Sequence, residues 1–182
     1  MAKFLVLFVV ILVSLFAAEL TPAVQSAVVI PWTEALVRIS AGLITLIDSH
    51  VAVFGKILQS TTNGFAVSVE AGCNGIEAAI ILIAAMLAFP APWKHRVIGI
   101  LAGLSAVQAL NIVRVISLFY IGQWSMTVFE WAHLYLWQAL IMLDVLIVWL
   151  IWIRTLPTSP SSSAVSPPPP SVDVGGQQAT AP

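Results

Sequence analysis

Three side chains in this sequence carry chemistry that apolar packing does not need. The chain has one cysteine, Cys73, in the turn Gly72-Cys73-Asn74-Gly75, with Arg114 and His133 lying 41 and 60 residues further on. A thiolate is a nucleophile, a nearby cation lowers the pKa at which it forms, and an imidazole moves protons to and from a leaving group. Small, flexible residues around Cys73 leave its sulfur accessible, and amide donors at the start of a following helix favour the thiolate. Each residue also has a plainer reading: a buried small hydrophobe for Cys73, a snorkelling anchor for Arg114 and an interface residue for His133. What separates the two readings is whether the fold brings the three together.

The elements that must do so are set by composition. Of 182 residues, 60% are hydrophobic and 8% are Asp, Glu, Lys or Arg; the mean hydropathy is +1.02. Soluble domains carry ~25% charged residues, so lipid is the solvent for most of these side chains. Seven basic and eight acidic residues give a net charge of -1, which provides no cationic field for nucleic acid. A single cysteine excludes an intramolecular disulfide and multi-cysteine metal sites, and the three histidines have no ligand spacing. No metal or organic cofactor is expected.

The fold expected is all-α: a polytopic membrane helical bundle of about four transmembrane helices. Apolar runs at Phe4 to Ala18, Ile76 to Phe89, Val97 to Val113 and Leu134 to Ile153 supply the spans, with 115–122 continuing the third. The first is read as a retained anchor, a cleaved signal being the alternative. Residues 34–56, interrupted by Arg38, Asp48 and His50, read as an interfacial amphipathic helix that is not a span. After them, 57–70 read as a short extracytoplasmic hairpin turning at Asn63-Gly64. Four spans put Lys3, Lys94, Arg96 and Arg154 on one side, which the positive-inside rule makes cytoplasmic. Residues 1–156 thus form one membrane domain, and 157–182, with seven of the eleven prolines, read as a disordered cytoplasmic tail.

This topology predicts convergence. Cys73 precedes the second span, His133 precedes the fourth, and Arg114 follows 17 apolar residues from the inner face, or roughly 25 Å of helix. All three are expected at the outer rim. Supporting roles are expected for Asn74 in the turn, for Glu77 either as a partner of Arg114 or solvated in a cavity, for Glu130 in orienting or charging His133, and for an inter-helix bond between Asn111 and Gln138. Asp144, deeper in the fourth span, is expected to serve helix packing, either protonated or bonded to Gln108. Gly99, Ala102, Gly103 and Ala106 offer a small-residue face for lateral docking of another helix.

The segments Glu70-Ala-Gly-Cys73-Asn-Gly-Ile-Glu77, Phe89-Pro-Ala-Pro-Trp93, Ala109-Leu-Asn111-Ile-Val-Arg114-Val115 and Trp131-Ala-His133-Leu-Tyr-Leu-Trp-Gln138 closely resemble the exosortase/archaeosortase family, most of all its exosortase H branch. The resemblance covers roughly residues 1 to 154. It implies a membrane-embedded protein-sorting enzyme whose substrates end in a short motif, a transmembrane helix and a basic terminus, the motif being of the Ile-Pro-Thr-Leu type for this branch. It also implies Cys73 as nucleophile, Arg114 as transition-state stabiliser and His133 as acid/base, at the periplasmic face of a bacterial inner membrane. The acceptor nucleophile stays open between transfer and hydrolysis. The rival reading is a non-catalytic helical subunit of an export or envelope-assembly complex, its polar cluster serving helix association.

Overall fold

The computed structural model describes residues 2–156; the tail expected from 157 onward lies outside them. Five helices and one small sheet make up the described chain. Helices α1 (Ala2–Glu19), α2 (Pro22–Thr45), α4 (Trp93–Trp124) and α5 (Met126–Arg154) are long and apolar enough to cross a membrane, while α3 (Ile76–Ala88) is shorter. Between α2 and α3 lie β1 (Val51–Phe54), β2 (Ile57–Ser60) and β3 (Ala66–Ser68), an antiparallel sheet in the order β1-β2-β3.

The amphipathic helix expected over 34–56 is corrected at both ends. The helix begins at Pro22, where Thr21 caps it, and stops at Thr45. The β-branched run from Val51 then pairs as β1, with Val51 opposite Ser60 and Phe54 opposite Ile57. The hairpin is therefore the second half of a three-stranded sheet. Its turn forms as expected, with Gly64 at φ +75° where an L side chain would be strained.

Two larger apolar cores stack along α4, and a smaller cluster joins its Leu118 to Ala132 and Trp137 of α5. The first joins α3, α4 and α5 through Leu82, Met86, Val107, Ile141, Val145 and Trp152. It is closed at one end by Phe89, whose ring meets those of Phe4 and Trp152 edge-on. There the Trp152 indole donates to the His95 carbonyl (3.0 Å), so Lys3, Lys94, Arg96 and Arg154 gather at this end. Two of the small residues serve packing: a Cβ on Gly99 would lie 2.1 Å from the Trp152 indole, and one on Gly103 would lie 2.7 Å from Leu82. Together with the exposed Ala102 and Ala106 they also line an open groove on α4.

The second core holds Leu36, Val37, Ala41 and Ile44 of α2, Leu58, Val69, and Val115 and Phe119 of α4. With 32 residues, α4 is ~48 Å long, against ~30 Å of bilayer hydrocarbon. Its second half therefore continues past the bundle and serves as the post on which α2 and the sheet pack. Although α2 has the length and hydropathy of a span, it lies beside this second half of α4.

Candidate active site

The site sits where the two cores meet. Residues 69–75 form a loop shaped by local bonds: the Cys73 amide donates to the Glu70 carbonyl (2.9 Å), and the Gly72 amide donates to the Glu77 carboxylate. Gly75, at φ +76°, starts α3. Only glycine fits there, because a Cβ would fall 2.9 Å from the Gln108 amide and 3.0 Å from that of Asn111. Asn74 is fully buried. Its amide donates to Thr33 Oγ1 (3.1 Å) and its carbonyl oxygen Oδ1 accepts from the Ile76 amide (3.1 Å). The Trp32 indole donates to its backbone carbonyl (3.2 Å). The loop is thus pinned to α2 on one side and α4 on the other.

This loop holds the Cys73 sulfur between the two other reactive groups. Arg114 is buried; its Nη2 donates to Cys73 Sγ (3.4 Å) and its Nη1 to the Gly72 carbonyl (3.4 Å). His133 Nε2 lies 3.8 Å from the sulfur. A turn of wider pitch, Ala132–Leu136, presents the imidazole; it closes with the Trp137 amide on the Ala132 carbonyl five residues back. Such turns recur at functional positions within α-helices. The His133 ring lies parallel to Phe129 at 5.7 Å between centroids.

Cys73 is half-buried, and burial pushes its thiol above the usual range. Arg114 opposes that shift, and Glu77 and Glu70 reinforce it. Desolvation of the sulfur thus outweighs the guanidinium in setting the direction of the shift. The proton acceptor within reach of the sulfur is the His133 imidazole.

The cavity beside these residues measures about 260 Å³ and is lined by Cys73, Arg114, His133, Phe129, Leu118, Met126 and the stretch Phe65 to Val69. One wall of it, Phe129, was not read from the sequence, having no polar group to flag it; the other, Phe65 to Val69, belongs to the expected hairpin.

The supporting residues divide. Asn74 anchors the loop, as described. Glu77 bonds the Gly72 amide instead of Arg114; the guanidinium is turned to the sulfur and to Gly72, so the expected pair is replaced by two bonds within the loop's reach. Glu130 is exposed, and Nδ1 of His133 is buried with no partner among the described residues. Phe129, not Glu130, therefore orients the ring. Asn111 is fully buried against Gly75, but Gln138 is exposed. The bond between them does not form because Trp137, four positions after His133, takes the inward face. Gln108 donates to the Gly75 carbonyl (3.2 Å) rather than to Asp144. Among the described residues no group of three His, Cys, Asp or Glu is placed to hold a metal.

No curated protein and no solved structure matches the chain. A family model described as transmembrane exosortase (EpsH) matches residues 1–151. Since that match covers most of the chain and all three residues of the site, the chain belongs to the transmembrane exosortase family.

Proposed function

We propose that this protein is a cysteine transpeptidase that cleaves the C-terminal sorting signals of exported proteins, with Cys73, Arg114 and His133 as its catalytic residues. Family membership supports a membrane transpeptidase role in general. The observation that carries the finer reading is a sulfur 3.4 Å from a guanidinium and 3.8 Å from an imidazole, in an open cavity.

In the first step His133 Nε2 takes the thiol proton as Cys73 Sγ attacks the scissile carbonyl carbon. The oxyanion that develops lies beside the sulfur, where Arg114 supplies charge-assisted donors. Collapse breaks the C–N bond, the imidazolium returns its proton to the leaving amine, and a thioester remains. An acceptor nucleophile then attacks the thioester, giving its proton to His133 while the sulfur regains one. Water in that role gives hydrolysis, and an amine or hydroxyl of another molecule gives transfer.

The same reading fixes sidedness. Lys3, Lys94, Arg96 and Arg154 at the closed end face the cytoplasm of a bacterial inner membrane, both flanks of the membrane domain with them, and the site faces the periplasm. A substrate anchored by one transmembrane helix, its motif just outside, would meet the cavity at the depth of the sulfur.

The test is Cys73→Ala in cells that express a substrate. The variant is expected to insert normally while uncleaved substrate accumulates; normal processing rejects the nucleophile assignment and favours a non-catalytic subunit. In parallel, a membrane-impermeant thiol reagent applied to intact cells should label Cys73. Protection until the membrane is opened would reverse the sidedness.

A further inference from the structure

The sheet at the catalytic cavity ends in a strand whose outer edge has no partner among the described residues. β3 pairs with β2 alone, Leu58 lying opposite Val67. The Ser60 amide donates to the Phe65 carbonyl (2.8 Å) and the Val69 amide to the Lys56 carbonyl (3.0 Å). In an antiparallel ladder, bonded and non-bonded pairs alternate. The Phe65 carbonyl, the Val67 peptide groups and the Val69 amide are therefore spent on β2, while the Phe65 amide donates to Asn63 Oδ1 (3.0 Å); the N–H and C=O groups of Ala66 and Ser68 point the other way. Five consecutive residues, Phe65 to Val69, line the cavity that contains Cys73. A strand face would contribute alternate residues only, so it is the strand's edge that borders the cavity. Ala66 and Ser68 are exposed, and this edge has none of the lysines, prolines or bulges that normally keep strand edges from pairing.

The direction of β3 is set by its packing on α4. Asn63 donates to Gln123 (3.0 Å), and a Cβ on Gly122 would strike the Phe65 ring. Eight residues after Phe65, Cys73 meets Arg114. β3 thus descends from the far end of α4 towards the bundle. A substrate whose exported portion lies outside and whose C-terminal helix lies in the bilayer descends the same way.

We infer that the free edge of β3 is the substrate's docking rail: the sorting motif adds to it as a fourth, parallel strand, bonded to the peptide groups of Ala66 and Ser68. This rests on the sorting-signal reading above and adds how the motif is held. Edge pairing recognises main chain, so it accepts many substrates, while side-chain pockets choose among them. On β3, Phe65 and Val67 turn towards the second core. Alternate substrate side chains on that same face would meet Leu118, Met126 and Phe129. The rail delivers the scissile carbonyl at its lower end, beside the sulfur.

The test places single cysteines in β3 and in the substrate. Ala66→Cys and Ser68→Cys are made separately in the Cys73→Ala background, where substrate is bound but not cleaved. The partner is a reporter ending in an Ile-Pro-Thr-Leu motif, a transmembrane helix and a basic terminus, scanned with single cysteines and oxidised with copper phenanthroline. The expected result is cross-linking at every second motif position, with the pattern from Ser68→Cys displaced two residues towards the substrate's C-terminus relative to that from Ala66→Cys. The opposite displacement overturns the parallel strand. A three-to-four-residue period, or no cross-link to either position, overturns edge pairing itself. Ser68→Pro gives an independent reading because its N–H is not part of the β2 ladder. Processing should fall at least tenfold while Cys73 is alkylated by iodoacetamide at the parental rate; parental processing overturns the proposal. Unimpaired processing in Cys73→Ala alone would instead reject the catalytic assignment on which the rail depends.

Discussion

The two cores stacked along α4 are held together differently. In the bundle half, helices meet through shape: Gly99 receives Trp152, Gly103 receives Leu82, and bonds such as Trp152 to His95 and Arg96 to the Phe89 carbonyl lie at the closed end. In the other half, polar bonds tie separate elements at Trp32–Asn74, Thr33–Asn74, Gln108–Gly75, Asn63–Gln123 and Arg114–Gly72. Lipid gives apolar helices no hydrophobic drive to associate, so close contact must supply the attraction. Loops cannot be held that way, because their peptide groups need partners. Small side chains thus set the bundle's stability, and the polar ties set the position of the Cys73 sulfur.

That division can be broken most decisively at the sulfur. Cys73→Ala should abolish processing in a cleavage assay while the melting temperature changes little. If it unfolds the protein, the separation between stability and chemistry is wrong. His133→Ala comes next, with a rate loss of ~10²–10⁴ expected for a missing general base.

The pH profile sharpens the same point. Burial raises the Cys73 thiol, so in His133→Ala the residual rate should climb about tenfold per pH unit through the alkaline range. The parent should level off earlier. The sign for stability is the reverse. A thiol raised in the fold favours the folded state below its ordinary value, and that contribution is lost as pH rises through the raised value, since the unfolded chain ionises first. Thermal melts across this range check it.

In the bundle half, Gly99→Val should cost ~1–3 kcal/mol through overpacking against Trp152. The melting temperature falls, while turnover per folded molecule is kept. The most local effect expected is that of Thr33→Val, which removes the acceptor for the buried Asn74 amide. About 1–3 kcal/mol of local stability should be lost, with turnover a few-fold slower because the loop is held less firmly. Hydrogen exchange over 69–75 would report the loosening.

What the sequence disclosed follows this division. Long apolar runs declared α1, α4 and α5, because lipid immersion is written in every residue of a span. The meeting of Cys73, Arg114 and His133 at one depth followed from counting helical rise. The partners of those residues did not follow. Glu77, Glu130 and Gln138 were assigned by helical spacing, yet a loop bond, solvent exposure and the wide turn at Ala132 decided each of them. β1 was hidden inside an apparent helix because Val51 to Phe54 has no polar alternation, and its strand character comes from pairing with β2. Phe129 was invisible for a simpler reason: a stacking partner needs no special chemistry.

The wide turn at Ala132–Leu136 also bears on how tolerant α5 is to change. A coil closed by bonds to the fifth residue takes in one amino acid more than regular winding needs, while the segments on either side keep their rotational phase. Removing one residue from 134–136 should therefore leave Trp137 and Ile141 facing the bundle, because the surplus alone is lost. The imidazole, carried on that surplus, would be withdrawn from the sulfur.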